Sequence, residues 1–184
     1  MKKGTIWAIA VVAVLVLWGL GQYNGMVGKD EACNEAWGNV ESVLQRRFDL
    51  IPNLVNTVKG YAAHEKGTLE EITRLRSQWG EAKTPEEKMA AASGMESALA
   101  RLMVVVESYP ELKANENFVR LQDELSGTEN RINVERQRYN ESVKGYNTGI
   151  RKMPGALIAR LAGFETRKPF EAVEAAATAP TVQF

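Results

Sequence analysis

Residues 4–27 carry no charged side chain, and their densest apolar part, residues 5–20, reads TIWAIAVVAVLVLWGL. Coiled into a helix, that part is about 24 Å long, a little less than the roughly 30 Å of a hydrocarbon layer. Trp7, Trp18 and Tyr23 flank or punctuate it, as interfacial anchors do. Such a run serves as an uncleaved membrane anchor or as the core of a cleaved secretory signal. It is long for a signal core, no small-x-small cleavage pattern follows it, and no cysteine stands where a lipid would be attached. The expectation is therefore an anchor at 5–22 after a short cytoplasmic stretch at 1–4. Lys2 and Lys3 set the N-terminus inside, which leaves the remainder outside the inner (cytoplasmic) membrane. Gly19, Gly21, Gly25 and Gly28 crowd the exit and predict a flexible joint. Gly21 and Gly25 also have GxxxG spacing, which permits two membrane helices to approach closely.

Beyond the glycines the apolar residues keep a helical period. Cys33, Ala36, Trp37, Val40, Leu44, Phe48, Ile51, Val55, Val58 and Ala62 follow in steps of three or four, with one short step at Trp37. The phase passes across Pro52, which predicts a kink in one long helix; the alternative is a restart at Asp49. Gly67, with Thr68 and Glu71 at capping-box spacing, predicts the next start, and that helix should end near Gly80. Thr84-Pro85-Glu86-Glu87 predicts a third start, ending before Pro110. The last pattern is the longest: Phe118, Leu121, Leu125, Thr128, Ile132, Glu135, Tyr139, Val143, Tyr146, Ile150, Met153. Its alternating steps form a heptad seam broken by polar residues. Long outer helices joined through shorter ones by short connections predict an all-α fold. The expected architecture is an antiparallel up-down helical bundle at 23–153, with long first and last helices, preceded by one N-terminal transmembrane helix.

Lys+Arg and Asp+Glu both total 23, so overall charge points to no nucleic-acid partner. With a single cysteine, Cys33, and a single histidine, His64, the chain lacks the donors for a Cys/His zinc site or an internal disulfide. No metal or other cofactor is expected. Cys33 reads as a small buried hydrophobe, free or paired between chains, and His64 as an exposed residue near a helix end.

The stretches YNGMVGKDEACNEAWGNVESVLQRRFDLIPNLVNTVKGYAAHE, ESYPELKANENF and GTENRINVERQRYNESVKGYN, with the closing Pro-x-Val-x-Phe, together resemble the LemA family of bacterial membrane proteins. The resemblance covers nearly the whole chain beyond the anchor. It implies one membrane anchor, a helical bundle and no established enzyme activity. Gly38 after Trp37, and Leu75 and Trp79 in RLRSQWG, depart from the smaller or more polar residues the family suggests, and bear on local packing.

Counting from the membrane end places Arg46, Arg47, Asp49 and Asn53 near the height of Thr128, Glu129, Asn130 and Arg131. An Arg–carboxylate layer there would fix the register of the first and last helices. A small-ligand or catalytic site is the alternative, although no nucleophile–base pair accompanies the charges. Tyr23, Tyr139 and Tyr146, each followed by Asn, fall at the membrane end, where tyrosine suits a boundary between dry and wet; aromatic core positions are the alternative. Residues 154–170, with Arg151 and Lys152 just ahead and Arg160 within, read as an amphipathic juxtamembrane segment on membrane lipid, or as a helix folding back on the bundle. Residues 171–184 read as a flexible tail. Its Val182 and Phe184, beside the terminal carboxylate, would suit a PDZ-type domain of an envelope protein or pack on the chain's own bundle. These features describe a non-enzymatic, membrane-anchored scaffold or adaptor that self-associates into a homo-oligomer and recruits partners. The competing function is a ligand sensor or enzyme using the polar layer.

Overall fold

The computed structural model describes residues 3–62 and 65–171. Lys2, His64, Val182 and Phe184, and with them the expectations placed on charge orientation and on the tail, lie outside these residues. All regular structure among the described residues is helical: α1 (Lys3–Lys59), α2 (Lys66–Glu81), α3 (Pro85–Val106), α4 (Pro110–Lys113), α5 (Glu116–Arg151) and α6 (Gly155–Ala162). The chain divides into two compact units, one built from Met1–Gly38 and Gln137–Pro169, the other around Asn39–Arg136.

In the first unit, α1 runs without a break through Gly19, Gly21, Gly25 and Gly28. The expected flexible joint is absent. A helical glycine costs about 1 kcal/mol relative to alanine, but lengthening an existing helix needs no new nucleus. None of these four glycines has a neighbour that an added Cβ would meet. The apolar side chains of residues 6–20 are exposed along α1, Trp7 at 73% and Leu17 at 69%. This part of α1 is long and apolar enough to cross a membrane; so is α3, but Met89, Met95, Leu99, Leu102 and Val106 of α3 are buried. From Met26 onward α1 turns inward, burying Met26, Cys33 and Ala36 in the same unit as Tyr139, Val143, Tyr146 and Ile150 of α5. Trp37 meets Tyr139 edge-on at 5.5 Å between ring centroids. Cys33 is a fully buried free thiol, and burial pushes its pKa up.

After α5 the chain turns into α6, whose first residue sits against α1 and the end of α5. A Cβ on Gly155 would fall 2.5 Å from the Gly149 carbonyl oxygen and 2.8 Å from Met26 Cε. Backbone on one side leaves no room to yield. Gly155→Ala is therefore expected to destabilise this unit by about 1–3 kcal/mol and to expose residues 152–163 to limited proteolysis. An unchanged melting temperature and digestion pattern would show that α6 is not held here. Gly163 ends α6 in the left-handed conformation (φ 77°), and the Phe164 N–H closes the turn on the Ala159 carbonyl at 2.9 Å.

In the second unit α1 continues through Pro52 with no restart at Asp49. Proline deprives the Phe48 carbonyl of its helical N–H partner. The buried Phe48, Ile51, Leu54 and Val55 around it hold the helix by packing. The next start differs from expectation. α2 begins at Lys66 after Glu65, so Gly67 and Thr68 lie inside its first turn, and the Glu71 carboxylate pairs with Arg74 rather than capping. The Leu69 N–H reaches back to the Glu65 carbonyl and Leu69 is buried, which draws the helix start forward. The start of α3 follows expectation: the Thr84 hydroxyl accepts from the Glu87 N–H, and the Glu87 carboxylate accepts from the Thr84 N–H. α2 and α3 lie close enough that a Cβ on Gly94 would fall 2.7 Å from Leu75 Cδ2. At the far end, Asn115 caps α5 by accepting from the Phe118 N–H at 3.1 Å.

Two contacts order residues 47–61 against residues 115–129 within this unit. Arg47 pairs with Glu129, and Tyr61, fourteen residues later, accepts from Asn115, fourteen residues earlier than Glu129. The two segments therefore run in opposite directions.

Candidate functional site

The Arg47–Glu129 pair lies beside a cleft of about 380 Å³ in the second unit. Arg47 shares its face of α1 with buried Leu44 and Ile51, one residue three back and the other four on, so its guanidinium is drawn inward. Arg46, Asp49 and Asn53 repeat at three and four residues on another face and are exposed, Asp49 accepting from Gln45 at 2.8 Å. Arg131 lies two residues beyond Glu129, outside the face marked by Leu125, Thr128 and Ile132, and is exposed too. The structure thus joins one arginine and one carboxylate of the expected layer and leaves the other four residues at the surface.

The cleft also draws in Glu96 and Leu99 of α3 and Gln122, Leu125, Ser126 and Asn130 of α5. Glu96 accepts from Arg136 at 3.2 Å, forming a second ion pair that links α3 to α5. Glu96 and Gln122 escaped sequence reasoning because each is one polar residue on an otherwise ordinary helix. The Arg47 Nε–H is buried without a hydrogen-bond partner among the described residues. Chemically the cleft offers paired opposite charges and amide groups. Its lining holds one hydroxyl, Ser126, and neither histidine nor cysteine to activate it. Among the described residues no group of three or more His, Cys, Asp and Glu stands ready for a metal ion.

A second polar constellation belongs to the first unit. The Tyr146 hydroxyl donates to the Glu165 carbonyl at 2.8 Å, and the Tyr139 hydroxyl donates to the Lys168 carbonyl at 3.1 Å. Between them Asn147 grips the backbone of Arg167 twice, donating to its carbonyl at 2.8 Å and accepting from its N–H at 2.9 Å. The Arg167 side chain donates to Asp30 at 2.8 Å, tying the returning segment to α1. Burial, followed by the nearby Asp30 charge, raises the Tyr146 pKa above that of an ordinary tyrosine. Tyr139 and Tyr146 are buried, while Tyr23 is 42% exposed with its ring 5.7 Å from Phe164. Arg151, Lys152 and Arg160 are exposed. The Tyr-Asn repeat in the sequence marked Tyr139, Tyr146 and Asn147. Asp30 and Arg167, 137 residues apart, carried no such mark.

These features define a class: an all-helical protein whose first helix exposes a stretch able to cross a membrane and then supplies core residues. The chain belongs to the LemA family, whose model matches residues 36–184. It is similar to magnetosome proteins MamQ 1 and MamQ 2 of Paramagnetospirillum magneticum strain AMB-1. Each is 28% identical over 202 aligned positions, which cover 93% of this chain and 74% of the relative. The protein LemA of Metamycoplasma hominis is 22% identical over 146 positions, 79% of this chain and 67% of its own.

Proposed function

We propose that this chain is a membrane-anchored, non-enzymatic scaffold or adaptor of the bacterial envelope. In this reading its four longer helices form an up-down-up-down bundle. The anchor crosses the inner membrane with the N-terminus in the cytoplasm and the bundle outside. One observation carries the proposal: α1 leaves its apolar side chains uncovered over residues 6–20, and from Met26 the same unbroken helix supplies core residues. A helix continuous across that change couples the membrane segment firmly to the first unit. The scaffold self-associates, with the exposed Val104, Val119 and Val134 as contributors to the contact. Light scattering of the full chain in detergent should give a mass that rises with protein concentration. A strictly monomeric mass over the whole range rules out self-association.

A second reading, a small-ligand sensor, draws support from the cleft beside Arg47, with its paired opposite charges and amide groups.

A further inference from the structure

An amphipathic helix on a protein ordinarily buries its large apolar residues and exposes its small ones. α6 does the reverse. Gly155 and Ala159 are buried, whereas Met153 just ahead of it, Leu157 and Leu161 are 75%, 58% and 80% exposed. Leu157 and Leu161 stand four residues apart and so share one outward face of α6, and the exposed Met153 lies in the turn just ahead of it. Basic residues accompany them: Arg151, Lys152 and Arg160 are exposed, and residues 142–164 contain no acidic side chain. Lys144, Arg151 and Lys152 also line a shallow depression of about 450 Å³.

The height of α6 is set by contacts within the first unit. Its first residue lies against Met26, and Phe164, just past its end, lies 5.7 Å from Tyr23. Tyr23 is only three residues from Leu20, where the exposed apolar stretch ends. A helix held at that height meets the headgroup layer of any bilayer that α1 crosses.

We propose that α6 is an interfacial foot that seats on an anionic lipid surface. Met153, Leu157 and Leu161 enter the headgroup–acyl boundary, while Arg151, Lys152 and Arg160 contact the lipid phosphates. The inference rests on the reading of α1 as a membrane anchor. It extends that reading from a single tether to a two-point attachment with a preference for lipid charge. The apolar residues supply depth, and the basic residues supply the selectivity.

The test uses the full chain in vesicles, with an environment-sensitive fluorophore on Leu157→Cys or on Ala10→Cys, and Cys33→Ala in both. Vesicles of phosphatidylcholine, with or without phosphatidylglycerol, carry a shallow spin-labelled lipid as quencher. The label at 157 should shift to the blue and be quenched in phosphatidylglycerol vesicles at low salt. Both effects should be lost in high salt and in an Arg151→Glu, Lys152→Glu, Arg160→Glu variant. Equal quenching in neutral vesicles, or none in either, overturns the assignment of an anionic surface. The label at position 10 separates the two ideas. If it is shielded from water while 157 stays water-exposed, the foot fails and the anchor stands; if it too stays in water, the anchor fails and the foot with it.

Discussion

Phe48→Ala is expected to lower the stability of the second unit by about 3–5 kcal/mol, the usual cost of removing a buried aromatic side chain. Phe48 is 1% exposed, and its ring stacks on Trp79 with centroids 4.6 Å apart and planes 12° from parallel. Trp79 is held in turn by donating its indole N–H to Gln45 at 3.1 Å, and Lys88 lies 5.3 Å from its ring centroid. The cavity left by Phe48 would be walled by groups already committed elsewhere, so little collapse can repair it. Phe48→Leu keeps much of the volume and should recover more than half of the loss. Denaturant unfolding followed by circular dichroism gives both values. A midpoint unmoved by Phe48→Ala would mean that the stacked pair is not part of the core.

The second large effect concerns the ion pair. Glu129→Ala strands the Arg47 guanidinium, whose side chain is only 9% exposed, whereas Arg47→Ala leaves Glu129, at 29%, within reach of water. Breaking a fully buried pair costs about 3–5 kcal/mol, and partial exposure brings the figure for Arg47→Ala down to about 2–3 kcal/mol. Glu129→Ala should therefore cost more than Arg47→Ala. Arg47→Met, which replaces the stem and removes the charge, should cost least. The reverse order, or a double-mutant cycle additive to within a few tenths of a kcal/mol, would show that the two charges act independently. Arg47→Met also separates the two proposed functions. A stable variant that has lost its cellular function points to a ligand in the cleft, and one that keeps function points to a structural pair.

Periodicity identified the inward positions of α1 and α5 well because burial is decided by the face of the helix, and the face is written locally. Leu44, Phe48, Ile51, Val55 and Val58 are all buried, as are Phe118, Leu125, Ile132 and Val143. Partners are another matter. Trp79 stood out in the sequence as a departure, yet nothing within α2 says that a ring on α1 lies flat against it. The glycine-rich exit misled because local propensity favours a joint there, while α1 continues through all four glycines. The cap at Thr68 misled for a related reason: the Thr-x-x-Glu spacing was present, but burial of Leu69 started the helix earlier. Of the polar layer, the height at which the charges would meet was legible from chain counting alone. Which of the two adjacent arginines turns inward depends on a step of about 100° around the helix, and only the neighbouring apolar residues settle that.

The clamp on the returning segment holds its backbone. Tyr139, Tyr146 and Asn147 take the carbonyls of Lys168, Glu165 and Arg167, and Asn147 also takes the Arg167 N–H. Carbonyls and N–H groups are the same whatever side chain they carry. The clamp therefore measures chain length and is nearly blind to spelling. Residues 165, 166 and 168 are free to drift in identity, while one inserted or deleted residue between Gly163 and Glu165 would put every grip out of step at once.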